Sequence, residues 1–224
     1  SFEFSKGGFQ CLMTQFESRH GTKRFWGMTH LNGNLLCAVD VETTGNRPGF
    51  HEIIEICILP LDQNFDVHKE FPLFNMRMRP DFPENIDQKA LRVNRADMAQ
   101  IALNALDREK VADLLWEWFQ GLKLAPKKQI WPLAQNWVFD RAFLSEWLGP
   151  EMFENIFAPM FRDTFAVSQF LNDAAAVRYE NIPHPKASLG ALANHYGVEQ
   201  IQAHTAVSDC MTTAQVYKRM LQSL

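Results

Sequence analysis

The sequence lacks several features that would place a protein in a class at once. No apolar stretch approaches the about 20 residues of a membrane-spanning helix, and no continuous apolar segment near the N-terminus indicates a signal peptide. The four cysteines, Cys11, Cys37, Cys57 and Cys210, show no paired spacing. We therefore expect reduced thiols in an intracellular, cytoplasmic protein without membrane contact, and neither a disulfide framework nor a zinc site.

An excess of positive charge is also missing. Lys and Arg number 22 against 26 Asp and Glu, which gives a net charge of −4. This balance argues against a protein that coats duplex nucleic acid through the field of its whole surface. It does not exclude an enzyme that holds a few nucleotides locally, because acids that bind metal ions would themselves make the sequence acidic.

The length and pattern indicate one globular domain with an appended segment. The chain has 224 residues, of which 46% are hydrophobic, enough for a substantial core. Residues 1–34 show no sustained period of 2 or 3.6, so we predict an N-terminal extension of unclear structure there. The regular domain is predicted at residues 35–224.

Within the regular domain the pattern predicts a mixed α/β sheet with helices on its faces. Strands are expected at residues 35–42, 52–61, 74–80 and 128–135. Helices are expected at residues 111–122, 136–148, 165–176, 188–196 and 207–221, with Gly149-Pro150 closing the second and Ser188 capping the fourth. Three strands in a row followed by alternating helix and strand are typical of such a sheet.

The most informative feature is the pair Asp40 and Glu42, which follows the apolar run 35–39. Side chains alternate along a strand, so both acids point to one face, about 7 Å apart. Two like charges on a buried face are costly unless a cation neutralises them, and a hard divalent metal held by oxygens is the usual solution. The alternative is that the strand ends at Val39 and both acids lie in a solvated loop.

A third acid occurs on a helix whose apolar stripe should face the sheet. Asp140 shares this stripe with Phe143, Leu144 and Trp147, and a lone buried carboxylate there would be expensive. A local pairing with Arg141 is the alternative, but adjacent helical residues do not face each other. A metal shared with the acids at 40 and 42 removes the difficulty.

The last helix is preceded by His204 and carries Asp209 in its first turns. This spacing lets a mobile imidazole approach a metal held by a fixed carboxylate. Taken singly, His204 could be a surface residue and Asp209 an acid that only favours the helix dipole.

Together these segments resemble the three exonuclease motifs of the DEDDh, or DnaQ-like, 3′→5′ exonucleases. The matching segments are D-V-E-T-T-G at 40–45, Q-N-x-x-F-D-R-x-F-L at 135–144, His204-x4-Asp209 and S-L-G-A-L-A-N-H-Y-G-V at 188–198. The resemblance covers residues 35–224 and implies a ribonuclease-H-like fold with a five-stranded sheet.

The resemblance implies hydrolysis with two divalent metal ions, Mg²⁺ or Mn²⁺. Asp40 would bridge both ions, Glu42 and Asp209 would hold one, and Asp140 would support the other. His204 would take the proton from the attacking water. The products would be nucleoside 5′-monophosphates released from the 3′ end of single-stranded nucleic acid, with DNA preferred over RNA.

Contacts to the terminal nucleotide are implied for Thr43, Thr44, Asn94 and Asn136. Gly45 would permit a tight turn after the two threonines. Trp137 and Phe139 could stack on bases or pack in the core. Candidate phosphate contacts, each with a solvated face as the alternative, are Arg77, Arg79, Lys89, Arg92 and Arg95.

Two alternatives stay open at this point. The same chemistry could trim RNA ends, since the treatment of a 2′-hydroxyl cannot be inferred from these residues. The chain could also be a nucleic-acid-binding or polymerase-associated subunit with an incidental nuclease site, and a polymerase or replication partner is possible under either function.

Overall fold

A five-stranded sheet forms the centre of the described part of the chain. The computed structural model describes residues 29–94, 98–200 and 205–224. The strands lie in the order β3-β2-β1-β4-β5, and their bounds are Leu35–Thr43 (β1), Ile53–Pro60 (β2), Phe74–Arg77 (β3), Ile130–Ala134 (β4) and Arg162–Asp163 (β5). β1, β2 and β3 pair antiparallel, whereas β4 pairs parallel with β1 and with β5. The predicted mixed five-stranded sheet is confirmed.

Helices cover both faces of this sheet. Their bounds are Gln88–Asn94 (α1), Met98–Asn104 (α2), Arg108–Gly121 (α3), Trp137–Ile156 (α4), Thr164–Val177 (α5), Leu189–Tyr196 (α6) and Ala206–Gln222 (α7). Short 3₁₀ turns lie at Thr29–Leu31 and Pro83–Asn85. None of the described helices combines the length and apolar character that a membrane crossing requires.

The alternation of side chains along β1 divides the core into two layers. Leu35, Cys37, Val39 and Val41 pack with the buried faces of α3 and α4. Leu36 and Ala38 pack on the other face, against the apolar stripe of α7. Every residue of β2 is buried, as expected for a strand covered on both faces. Asp40 and Glu42 continue the second series, so they emerge on the α7 side.

Several helix ends follow the sequence signals closely. The Ser188 side chain accepts a hydrogen bond from the backbone N–H of Ala191, and Gly197 ends α6 in the left-handed conformation, as N-cap and C-cap residues do. Cys37, Cys57 and Cys210 are buried free thiols, as predicted. Cys11 lies outside the described residues.

Two elements differ from the sequence prediction. The α4 helix does not end at Gly149, which has φ 71° and ψ 161°; it bends there and a second helical segment continues to Ile156. Pro150 is tolerated because it opens this second segment, where its missing N–H is not needed. The third strand ends at Arg77 and not at residue 80, and Met78 forms an isolated parallel bridge with Leu106 instead.

The packed domain includes residues just before β1. Leu31 is buried in the core layer that contains α7, and the Asn34 side chain accepts a hydrogen bond from the backbone N–H of Gln129. Residues 1–28 of the predicted extension lie outside the described residues, so the boundary at residue 35 stays a prediction.

Candidate active site

Three acids meet where β1 ends and α7 begins. Asp40, Glu42 and Asp209 each offer one carboxylate oxygen, and these oxygens all lie within 4.8 Å of one another. Among the described residues, no other group of three or more His, Cys, Asp or Glu side chains lies close enough to hold a metal ion. The structure therefore brings together the first and third segments that the sequence singled out, and the solvated-loop alternative is wrong.

The start of α7 is fixed both by a cap and by packing. The Thr205 side chain accepts a hydrogen bond from the backbone N–H of Ser208 and caps the helix. Cys210 packs in the same core layer as Ala38 and Cys57. Asp209, between the cap and this buried contact, is thereby held beside the end of β1.

Asp140 approaches the same place from the opposite side of the sheet. Its Oδ1 accepts a hydrogen bond from the backbone N–H of Val41 at 3.1 Å, and the residue is only 3% exposed. Arg141 is exposed, so the local pairing weighed from the sequence is not the described contact. Asp140 lies outside the triplet of acids, but it is tied to the residue between Asp40 and Glu42.

Crowding of buried acids raises their pKa values. Burial, followed by the charges of Asp140, Glu42 and Asp209, raises the pKa of Asp40 well above its usual range. Burial, then Asp209 and Glu55, raise the pKa of Glu42 to about 8. Without a cation these groups retain protons at neutral pH.

The pKa of Asp140 is shifted in the same direction. Burial raises it to about 8, although the hydrogen bond from Val41 opposes the shift. A set of closely spaced carboxylate oxygens that ionise only with a compensating cation fits a hard divalent metal. The site is therefore an acidic cluster suited to such an ion.

The loop after β1 is held by its own polar groups. The Thr43 hydroxyl donates to the carbonyl of Gly45 at 2.6 Å. The Thr44 hydroxyl accepts from the backbone N–H of Glu52 at 2.9 Å, and the Thr44 carbonyl accepts from the backbone N–H of Asp87. Both threonines are buried, so in this conformation they support the loop, and their contact with a nucleotide stays a prediction.

Gly45 is required for a reason other than the one inferred from the sequence. Its φ is not among the positive values, so a left-handed tight turn is not the cause. An added Cβ would lie 2.4 Å from the ring of His51, which packs directly against the glycine. The His51 Nδ1 accepts a hydrogen bond from the backbone N–H of Arg47, which fixes the ring under the loop.

Four further residues of the predicted site are Asn136, Asn94, His204 and Arg95, and the structure describes them to different extents. Asn136 is exposed at the start of α4, with a left-handed φ of 68° and no side-chain cap bond. Asn94 ends α1 and does not lie in a turn, but its side chain lies outside the described residues. His204 and Arg95 also lie outside them. Each of these contacts stays a prediction.

The two aromatics of the second motif pack inside the protein. Trp137 is 2% exposed and its ring centroid lies 5.9 Å from that of Phe157. Phe139 packs on the same core, 4.9 Å from the ring of Phe143. Core packing, and not base stacking, is therefore their described role.

Sequence reasoning missed Asp163, which organises two helices next to the site. Its carboxylate accepts hydrogen bonds from the backbone N–H groups of Asn136 and Trp137 at the start of α4. It also caps α5 through Phe165 and Ala166. The capping position before an apolar helical run was a visible signal, whereas the contact with α4 was not.

Two further buried acids were not predicted as parts of the site: Glu52 directly precedes β2, and Glu55 lies within it. The carboxylate of Glu52 accepts from the backbone N–H groups of Asp81 and Phe82 and lies near the guanidinium of Arg108. Glu55 lies opposite Glu42 in the β1–β2 register. Only the pairing of the strands reveals that this second acid adjoins the cluster.

Comparison with known proteins identifies the chain's relatives. A family model described as RNase_T, Exonuclease, matches residues 37–217. The chain belongs to this exonuclease family. The resemblance to DEDDh, DnaQ-like exonucleases is thereby confirmed, and no curated protein sequence matches significantly.

Solved structures share the fold at low sequence identity. Cell-death related nuclease 4 has a TM-score of 0.66 and 17% identity, over 85% of this chain and 64% of that one. E. coli exonuclease I in complex with a dA16 oligonucleotide has a TM-score of 0.64 and 19% identity, over 84% of this chain and 41% of that one. The chain thus spans less than two thirds of either structure.

A third neighbour is similar in length to this chain. The nuclease domain of 3′hExo, described as a DEDDh family member bound to rAMP, has a TM-score of 0.61 and 19% identity. The match covers 85% of this chain and 92% of that one. At these identities the structures show a common fold.

Proposed function

We propose that this member of the exonuclease family is a 3′→5′ exonuclease that removes nucleoside 5′-monophosphates from the 3′ ends of single-stranded DNA. The observation that carries the proposal is the convergence of Asp40, Glu42 and Asp209 within 4.8 Å. The family match supports nuclease chemistry. The direction, the sugar and the number of ions belong to the proposal.

The acids would hold two divalent ions, Mg²⁺ or Mn²⁺. Bound there, such ions supply an activated water and stabilise negative charge on the attacking and leaving oxygens. Asp40 would contact both ions, and Glu42 and Asp209 would hold one of them. Asp140, whose Oδ1 accepts a hydrogen bond from the backbone N–H of Val41, would support the other directly or through water, as suits Mg²⁺.

A proton acceptor is needed for the attacking water, and we propose His204 for this role. An imidazole has an ordinary pKa near neutrality, which suits proton transfer at physiological pH. The residue precedes the cap of α7 by one position, and Asp209 lies in the first turns of that helix. Both groups would therefore reach the site from one end of the same helix.

His204→Ala should keep metal binding and lose most turnover. The expected loss in kcat is about a hundredfold or more, as for removal of a general base. Calorimetric titration with Mn²⁺ measures binding, and release of labelled nucleotide measures turnover. Loss of metal binding in this variant would instead make His204 a ligand.

RNA is the second candidate substrate. One fold neighbour is a nuclease domain bound to rAMP, and another structure concerns recognition of a histone mRNA stem-loop by a 3′-exonuclease. Other neighbours are complexes with DNA oligonucleotides. The fold is therefore compatible with either sugar, and the polymerase or replication partner stays a prediction.

The test uses matched DNA and RNA oligonucleotides labelled at either end, single- and double-stranded, with and without Mg²⁺. We expect a 5′-labelled single strand to shorten progressively and a 3′-labelled one to release labelled mononucleotide at once, only with metal. DNA should be digested faster than RNA. Release from the 5′ end, or no hydrolysis and no thermal shift with metal and mononucleotide, would contradict the proposal, and the latter result would favour a binding module.

A further inference from the structure

We propose that Arg77 binds a backbone phosphate of the substrate strand and that Glu55 positions its guanidinium for this contact. The inference rests on the proposed exonuclease function and assigns a substrate contact outside the three motifs. It comes from a row of charged residues that crosses the sheet beside the acidic cluster.

The row follows from the strand register. Glu42 of β1 lies opposite Glu55 of β2, and Glu55 lies opposite Arg77 of β3. Residues directly opposite in antiparallel strands point to the same face. Since neighbouring strands are about 4.8 Å apart, the Cα atoms of Arg77 and Glu42 are separated by about 10 Å. An extended arginine side chain covers most of that distance.

The pair Glu55–Arg77 holds the guanidinium in a defined orientation. Arg77 Nε donates to Glu55 Oε2 at 2.9 Å. The Glu55 side chain is 9% exposed, whereas that of Arg77 is 56% exposed. The carboxylate is therefore fixed within the protein and meets only one edge of the guanidinium. The terminal N–H groups of this guanidinium form the fork that suits a phosphate, and they belong to a side chain that solvent can reach.

The edge position of β3 leaves room for a ligand. β3 is the first strand of the sheet, and α7 packs across β1, β2 and β4. The arginine thus lies at the open margin of the face that carries Asp40 and Glu42. The proposal places the strand whose 3′ end reaches the acids along this margin.

Other candidate cations are engaged differently. Arg79 pairs with Asp107 at the start of α3. Arg108 is largely buried between Glu52 and Asp81. Neither lies in the row that links Arg77 through Glu55 to Glu42.

Stability alone does not account for the pair. Glu55 places a further carboxylate directly opposite Glu42, next to the acidic cluster. An ion pair whose arginine is half exposed to solvent contributes little to stability. The position of Glu55 beside another acid is explained if its carboxylate orients Arg77 towards a second anion, the substrate phosphate.

The test compares Arg77→Gln with the wild-type protein on two substrates. One is a single-stranded oligonucleotide of the sugar that the wild type digests best. The other is the p-nitrophenyl ester of thymidine 5′-monophosphate, which offers only the scissile phosphate. We expect kcat/KM to fall about tenfold on the oligonucleotide, mainly through KM, and to stay within twofold on the ester.

Salt dependence provides a second readout. Loss of one phosphate contact should reduce the slope of log(kcat/KM) against log[salt] by about 0.7 for a single strand. Arg178→Gln is the matched control, because Arg178 pairs with Glu180 in a similar but exposed ion pair on the surface. It should leave both substrates and the salt slope unchanged.

A double variant separates substrate binding from simple charge compensation. If Arg77 only neutralises Glu55, Glu55→Gln with Arg77→Gln should restore wild-type kinetics, since no unpaired charge remains. We expect the double variant to stay impaired on the oligonucleotide. If Arg77→Gln does not fold, the double variant takes its place in the comparison of the two substrates.

Three results would overturn the inference. They are unchanged oligonucleotide kinetics in Arg77→Gln, equal losses on both substrates, and restoration by the double variant. A wild-type protein that hydrolyses neither substrate would instead remove the proposed function and the inference with it.

Discussion

A glycine and a histidine determine the shape of the loop that leaves the acidic strand. The ring of His51 packs where Gly45 lacks a side chain, and its Nδ1 anchors the backbone of Arg47. Thr43 and Thr44 close the same loop with their hydroxyls. The tight approach of backbone to ring, more than backbone flexibility, explains why a glycine occupies position 45.

Gly45→Ala should therefore destabilise the protein and weaken substrate binding. The new methyl group would displace His51, at a cost of about 1–3 kcal/mol as in other overpacked sites. Chemical denaturation measures the stability, and KM for an oligonucleotide measures binding. Gly121→Ala is the control, because a Cβ there meets nothing within 4 Å and should be neutral or stabilising. Equal stability of the two variants would contradict this account of the loop.

Among the helices, α4 and α5 are linked by one aspartate. Asp163 accepts four backbone hydrogen bonds, from Asn136, Trp137, Phe165 and Ala166. The first two fix the start of α4, which carries Asp140 in its first turn. The position of Asp140 thus depends on a residue more than twenty positions away.

Asp163→Ala should lower both stability and activity. Loss of a cap and of two buried N–H partners should cost about 3 kcal/mol, and kcat should fall because Asp140 loses its support. Ser188→Ala, which removes the cap of α6, should cost about 1 kcal/mol and leave kcat unchanged. Thermal unfolding and single-turnover digestion provide the two measurements, and unchanged kcat in Asp163→Ala would contradict the positioning role.

The elements that the sequence predicted are those with strong local patterns. β1 begins with the apolar run 35–39, β2 is rich in isoleucine, and α6 has both its caps. The sequence did not predict β5, because two residues carry no period. It also did not predict α1 and α2, which lack a strong apolar stripe.

Site residues on elements with a strong local pattern were likewise predicted, and those that depend on long-range contacts were not. The four acids were predicted because each follows or occupies a patterned element. The Glu55–Arg77 row depends on strand register, and the bond from Asp163 to α4 spans 26 and 27 residues. Contacts of this kind appear only once the chain is folded.

Across the whole molecule, the central sheet brings together acids that come from its own strand β1 and from helices on its two faces. β1 supplies Asp40 and Glu42, α7 supplies Asp209 from one face, and α4 supplies Asp140 from the other. Both parallel strands β1 and β4 end at this edge, where ligand sites of open α/β sheets are usually found. Burial of the acids at this edge connects folding stability to pH and metal.

The metal-free protein should lose stability as pH rises from about 5 to 8. Glu42 and Asp140 have pKa values of about 8 in the folded state, above the about 4 of unfolded chains. The native state then binds more protons than the unfolded state, so stability falls with rising pH. The stability of Glu42→Gln should fall less steeply with rising pH, because one of the groups with a raised pKa is absent.

Mg²⁺ should reverse this loss. The ion binds the ionised acids, so the increase in Tm on adding Mg²⁺ should be larger at pH 8 than at pH 5.5. Thermal unfolding in EDTA and in Mg²⁺ across this range measures both effects. A metal-induced shift that is independent of pH would contradict the ionisation scheme.

We propose that the cluster around Asp40 is the metal site of a 3′-end exonuclease. The most direct test of this assignment is the rate at which wild type and Asp40→Asn shorten one 5′-labelled single strand across a Mg²⁺ titration. The account predicts stepwise loss from the 3′ end by the wild type and a rate lower by about a hundredfold or more in the variant. The variant should unfold at a Tm in EDTA no lower than that of the wild type. Digestion by Asp40→Asn at the wild-type rate would contradict the account.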